Sequence, residues 1–155
     1  MASWSRERAE EIIAAHRAAE GAALPMLRAL QEEFGFVPGE TVPLVAAALN
    51  LSRAEVHGIV SFYHDFRRAP PGRHVLRLCR AEACQSMGAD ALGAAARERL
   101  RVGWGGTSDD GRVTLEAVFC LGLCACAPAA MLDGKVIGGL DPARLGALID
   151  QARAP

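Results

Sequence analysis

His74-Val-Leu-Arg-Leu-Cys79-Arg-Ala-Glu-Ala-Cys84 and Arg112-Val-Thr-Leu-Glu-Ala-Val-Phe-Cys120-Leu-Gly-Leu-Cys124 share one pattern: a short strand-like run meets a cysteine, and a second cysteine follows within a few residues. In the second run Val113, Leu115, Ala117 and Phe119 fall on one face, with Arg112, Thr114 and Glu116 on the other. That period-two alternation predicts a half-buried strand. The first run, His74–Leu78, reads as a strand too, and Ala89–Val102 between them reads as a helix. A strand–helix–strand unit of this length joins parallel strands through a right-handed crossover. Both strands then release a cysteine at the same carboxyl edge, and the spacing C-x4-C-x35-C-x3-C sets two thiol-bearing loops face to face.

Outward from this unit, Ala129–Leu132 and Lys135–Ile137 flank Asp133-Gly134, the preferred chemistry of a tight hairpin. Asp141-Pro142 caps and opens a last helix carrying Leu145, Leu148 and Ile149. On the other side, Arg67–Gly72 (RRAPPG) reads as a linker, and residues 1–66 read as helices. Arg6–Ala19 is rich in Ala, Glu and Arg, with Ile12 and Ile13 on one side. Pro25 lies in the first turn of a second helix with Leu27, Leu30 and Phe34 at helical spacing, ended by Gly35 and Pro38. A third runs around Pro43–Leu49, and a fourth starts at a Ser52–Glu55 capping box with Val56, Ile59, Val60 and Tyr63 as its buried stripe. The expected class is α+β: an N-terminal helical bundle over 1–70, then a β-α-β-β-α domain over 71–155.

Composition narrows the function. The 155 residues carry a net charge of −1, with 51% hydrophobic and 23% charged residues, which is globular and excludes wholesale disorder. Neither half carries a basic surplus beyond a single charge, so no nucleic-acid partner is expected. The N-terminus lacks an apolar signal region, and the longest charge-free stretch, Ala117–Leu132, holds Gly, Pro and three Cys, a poor membrane span. The expectation is a cytoplasmic chain with no membrane contact, where five cysteines are not structural disulfides.

Three readings of the thiols compete on spacing alone: a [2Fe–2S] cluster on four thiolates, a tetrahedral structural zinc, or buried cysteines with no ligand. Zinc usually draws on tighter C-x2-C knuckles. The small residues of both loops suit close backbone approach, with N–H groups aimed at cofactor sulfurs. A thioredoxin-type thiol enzyme is disfavoured, because Cys79 and Cys84 do not form C-x-x-C.

This spacing, with Ala127-Pro128 after it, resembles the thioredoxin-like [2Fe–2S] ferredoxin subunits of NADH dehydrogenases and related NAD-linked complexes. The helical half is similar too, in Leu24-Pro25-Met-Leu, Gln31-Glu-Glu-Phe34-Gly-Phe and Ser61-Phe62-Tyr63 before Phe66. Within that family, Glu55-Val-His-Gly-Ile-Val-Ser-Phe-Tyr-His-Asp-Phe-Arg67 is most similar to the gamma subunit of NAD-dependent formate dehydrogenase. The resemblance covers about residues 9–152. It implies a thioredoxin-like second domain and a one-electron carrier without catalytic residues, and no turnover of formate by the chain alone. Cys79 and Cys84 would hold one iron, Cys120 and Cys124 the other. FMN and NAD would sit on a flavin/NAD-binding partner subunit, beside a large catalytic subunit; NADH:quinone oxidoreductase and NAD-linked hydrogenase are the alternative complexes. The spacer Arg80–Ala83 departs from the Thr/Ser/Pro-bearing spacer of many members, and Cys126 is an extra thiol expected to be a non-ligand. Arg77 or Arg80 is expected to raise the cluster potential.

Other candidates read as structural. His57 and His64, seven apart, suit a subunit contact or core edge; His16 and His74 have no metal-ligand spacing. Asp109-Asp110 reads as a solvated turn, and Gly103-Trp104-Gly-Gly106 follows a helix rather than a strand, failing the dinucleotide context. Trp4, Trp104, Phe34 and Phe36 read as packing.

Overall fold

The computed structural model describes residues 4–154. The chain divides into two compact units, one up to Pro70 and one from Pro71.

The first unit holds α1 (Arg6–His16), α2 (Ala23–Phe34), α3 (Thr41–Leu49) and α4 (Arg53–Phe62). Its core is Ile12, Ile13, Met26, Leu27, Leu30, Phe34, Val45, Val56 and Val60, drawn from all four helices. Local signals start and stop them. The Ser52 hydroxyl accepts from the Glu55 N–H, and the Glu55 carboxylate accepts from the Ser52 N–H (2.8 Å), completing the capping box. Gly35 (φ 83°) and Asn50 (φ 53°) end α2 and α3 in the left-handed conformation. Helix α1 stops at His16, short of Ala19, where the His16 ring Nδ1 meets the Ile12 carbonyl at 2.8 Å. Tyr63 leaves the expected buried stripe and is 43% exposed. The helix ends at Phe62, Tyr63 turns extended, and its ring packs edge-on against Phe62 (5.2 Å) and Phe66 (6.1 Å).

The second unit is built on β1 (His74–Cys79), α5 (Glu82–Ser86), α6 (Ala89–Leu100), β2 (Val113–Val118), β3 (Ala130–Leu132), β4 (Lys135–Ile137) and α7 (Pro142–Arg153). The sheet order is β2-β1-β3-β4. β1 and β2 are parallel, from His74↔Val113 to Cys79↔Val118; β3 is antiparallel to β1 and β4 to β3. Leu76, Leu78, Val113, Leu115 and Leu132 from the sheet bury against Leu92, Ala96, Leu100, Leu145 and Ile149 from the helices. Asp133 (φ 50°) and Gly134 (φ 85°) form the hairpin turn. The Asp133 carboxylate also accepts from the Val75 N–H (2.8 Å) and meets the His74 ring (2.6 Å), pinning the hairpin to β1. Asp141 caps α7 by accepting from the Arg144 N–H. The architecture is α+β, and no described helix is long and apolar enough to cross a membrane.

Two residues of the β2 run differ from the alternation. Phe119 is 74% exposed instead of buried, because the strand ends at Val118 and no element covers the next position. Thr114, expected on an outer polar face, is buried. The backbone of 105–108 bonds to the free edge of β2 at Val113 and Leu115, while the Thr114 hydroxyl accepts from the Gly72 N–H (2.6 Å) and pairs with Thr107. Helix α5, in a stretch expected to be a spacer, is a third difference.

Asp110 is not a freely solvated turn residue. The Ser108 hydroxyl, the Arg112 N–H (3.0 Å) and Arg153 on α7 (3.1 Å) all donate to its carboxylate and hold it down to about 2, against an ordinary value of 3.8. A depressed carboxylate contributes stability above its unfolded value and loses it as pH falls through its folded one. Asp110→Asn is therefore expected to unfold at lower denaturant concentration than the parent at neutral pH, with the two converging as pH falls from 3.8 towards about 2. Urea titration followed by circular dichroism across that range checks this.

Candidate metal centre

Parallel pairing of β1 and β2 brings their carboxyl ends to one edge, with Cys79 as the last residue of β1 and Cys120 two residues beyond β2. From that edge each chain turns into a loop. After Cys79, helix α5 carries Cys84 inward, so that both thiols are 2% exposed. After β2, Cys120 takes a left-handed φ of 103°, a strained backbone for a residue with a side chain. Gly122 (φ 77°) follows, its N–H 3.4 Å from Cys120 Sγ, and Cys124 opens a single 3₁₀ turn, Cys124–Cys126. Cys120 and Cys124 Sγ lie 3.8 Å apart, and the Cys79 and Cys84 thiols are close enough to influence one another's ionisation.

Backbone amides of both loops lie at the Cys79 sulfur. Those of Ala81, in its own loop, and of Cys120 and Leu121, in the opposite one, favour its charged form. The Cys84 sulfur accepts from the Ala129 N–H. Burial alone drives the Cys79 thiol up, yet these donors and the Cys84 thiol together bring it below the ordinary range. Burial pushes Cys84 up, reinforced by the neighbouring Cys79 sulfur. Cys124 is raised by its contact with Cys120. The charged form is thus favoured at Cys79 and disfavoured at Cys84 and Cys124.

The surroundings are apolar. Ala81, Ala89, Val118, Leu121, Leu123, Ala127 and Ala129 pack about the buried pair. Among the described residues no three His, Cys, Asp or Glu side chains converge as around a single ion. The sulfurs instead stand as two pairs. Nearby cations are already matched: Arg77 pairs with Glu116 at 2.7 Å and Arg80 with Asp90 at 3.3 Å.

Cys126 is exposed on the same 3₁₀ turn and packs against Gly138, where any Cβ would sit 2.8 Å from its own. His57 and His64 are exposed in the other unit, and His74 is taken by Asp133. Residue type does not mark the amide donors Ala81 and Leu121; only the small-residue character of the loops points to them. From Phe119 to Ala127 every residue is exposed or half-buried, and none carries a charge. They leave an apolar, uncharged stretch beside the exposed thiols Cys120 and Cys124.

Residues 9–153 match the family model described as thioredoxin-like [2Fe–2S] ferredoxin. Among curated relatives, the E subunit of the NADH-quinone oxidoreductase of Pseudomonas aeruginosa is 33% identical over 83% of this chain and 78% of its own length. The HndA subunit of the NADP-reducing hydrogenase of Solidesulfovibrio fructosivorans is 35% identical over 81% and 74%. The second E subunit of the Rhizobium meliloti NADH-quinone oxidoreductase is 36% identical over 96% and 89%. Among solved structures, NAD⁺-reducing [NiFe]-hydrogenase in the air-oxidized state superposes with a TM-score of 0.63 at 26% identity, covering 99% of this chain. The chain spans only 25% of that hydrogenase chain's length.

Burial sorts the thiols kinetically. In the metal-free chain, Cys120, Cys124 and Cys126 are expected to react at once with a chromogenic disulfide reagent, and Cys79 and Cys84 far more slowly until denaturant is added. Five fast thiols in the native chain would contradict this burial.

Proposed function

This chain belongs to the thioredoxin-like [2Fe–2S] ferredoxin family, and from that premise we propose that it is an electron-transfer subunit of an NAD-linked oxidoreductase complex. In this reading Cys79 and Cys84 hold one iron of a [2Fe–2S] cluster and Cys120 and Cys124 the other. The observation that carries it is the pair of dithiols, each from its own loop, brought to one edge by the parallel strands β1 and β2. Four thiolates in two pairs fit a dinuclear iron centre; a structural zinc asks for four ligands converging on one point.

A bound cluster supplies one-electron exchange. The chain's own residues set the conditions for it. The N–H groups of Ala81, Cys120 and Leu121 offset negative charge at Cys79 without a net cation. The alanine and leucine side chains around the buried pair keep water from that side. The exposed second loop, Phe119 to Ala127, leaves the other side open for a protein partner. The chain itself has no catalytic residue in this reading, and FMN and NAD belong to a flavin-binding partner, next to a large catalytic subunit.

The relatives' names favour an NADH:quinone oxidoreductase or NAD-linked hydrogenase complex. The gamma subunit of NAD-dependent formate dehydrogenase is a second reading, favoured by the stretch Glu55–Arg67. Affinity purification from the native source, with the co-purifying subunits identified, separates these complexes.

Reconstitution with iron and sulfide should give a brown chain with a rhombic electron paramagnetic resonance signal after dithionite. Replacing Cys79, Cys84, Cys120 or Cys124 with Ala should each bleach the visible absorbance, whereas Cys126→Ala should keep it. A colourless chain holding one zinc would instead make it a metal-stapled interaction module. Phe119→Asp should weaken association with the partner by about 2 kcal/mol, the loss typical of a buried aromatic anchor, while leaving the cluster spectrum unchanged. Co-purification yield and the spectrum measured on one sample check both halves of that expectation.

A further inference from the structure

Arg80, the residue after Cys79, is held at four points. Its N–H donates to the Val118 carbonyl at the end of β2 (2.8 Å), and its carbonyl accepts from Gln85 Nε2 on α5 (3.0 Å). Its Nη2 meets Asp90 Oδ1 in the first turn of α6 at 3.3 Å, and its Cζ lies 5.3 Å from the centroid of the Trp104 ring. Trp104 is a fixed platform. Its neighbours Gly105 and Gly106 bond to the backbone of Leu115 on β2 (2.7 and 3.0 Å). Its Cζ2 lies so close to Gly93 of α6 that a Cβ there would stand only 3.0 Å away. A continuous line of contacts therefore runs from the edge of β2 and from α6, through the indole and the guanidinium, to the Cys79–Cys84 loop.

We propose that Arg80 is a positioning residue for the candidate centre: its guanidinium, clamped between the Trp104 face and Asp90, keeps the 80–87 loop closed so that Cys79 and Cys84 stay buried as a pair. The role rests on the reading of those thiols as ligands. It depends on shape as well as charge. A planar guanidinium stacks on an indole and still offers an N–H to a carboxylate; a lysine ammonium keeps the charge but forms this double contact poorly. Asp90 compensates the charge, so the clamp organises the loop without adding a net cation beside the sulfurs.

The test uses the metal-free full chain and site-resolved alkylation read by mass spectrometry. Arg80→Ala and Trp104→Leu should each speed modification of Cys79 and Cys84 about tenfold, the change expected when a cation–π contact and an ion pair no longer oppose local opening. Rates at Cys120, Cys124 and Cys126 should stay as in the parent, and Arg80→Lys should fall between parent and Arg80→Ala. Unchanged rates at Cys79 and Cys84 would overturn the proposal, as would a uniform rise at all five thiols. In the reconstituted chain, Arg80→Ala should also release iron to a chelator about tenfold faster. A parent chain that takes up no iron or sulfide would sink the cluster reading alone, since the alkylation result needs no metal and judges the clamp independently.

Discussion

Six residue pairs of parallel ladder, His74↔Val113 to Cys79↔Val118, decide where the thiols can be. Parallel strands place both carboxyl ends at one edge, and each strand here hands its loop a cysteine at or just past its end. An antiparallel pairing of the same two runs would have sent the loops to opposite ends of the ladder. The crossover through helix α6 supplies the chain length that the parallel arrangement needs. On the other side of β1, the antiparallel β3 brings the Ala129 carbonyl to the Cys79 N–H (3.0 Å) and the Ala129 N–H to the Cys84 sulfur. The site is thus a consequence of strand order, finished by backbone groups at the sheet edge.

At this edge both nearby arginines are paired with carboxylates, and peptide N–H groups favour the charged form of the Cys79 sulfur. Oriented peptide dipoles stabilise negative charge at a buried sulfur without a side-chain cation in contact with it. Aiming them costs conformational strain, and the strain is visible: Cys120 holds φ at 103°, outside the comfortable range of a residue with a Cβ, in the loop whose Cys120 and Leu121 amides point at Cys79.

Legibility in the sequence follows the physics of each signal. The Ser52–Glu55 box, Gly35, Asp133-Gly134 and Asp141-Pro142 act within a turn of chain, and the elements they bound stand where those residues put them. The strand–helix–strand period likewise identifies the shared edge. What escapes depends on distant partners. Thr114 is buried only because residues 105–108 return across β2, and Phe119 is exposed only because no element follows the strand there. Tyr63 continues the helical period in the sequence but lies one residue past the helix. At the site, residue types reveal thiols, whereas the amides of Ala81 and Leu121 act through backbone that every residue possesses, so no side-chain pattern can announce them.

The same distinction explains why the family is plainer than the complex. The thiol loops, the small residues under them and the sheet core are fixed by contacts inside the chain, and a change at any of them is felt within the fold. Phe119, at the start of the second loop, is the exception: it is 74% exposed, with nothing among the described residues to shelter it. An exposed aromatic ring beside the thiol pairs makes physical sense when another surface covers it, because burial at an interface then recovers the hydrophobic free energy that folding left unused. In the proposed reading the identity of that surface would be encoded in shape and chemistry shared with a second chain, and residues that satisfy one partner would satisfy the isolated fold equally well.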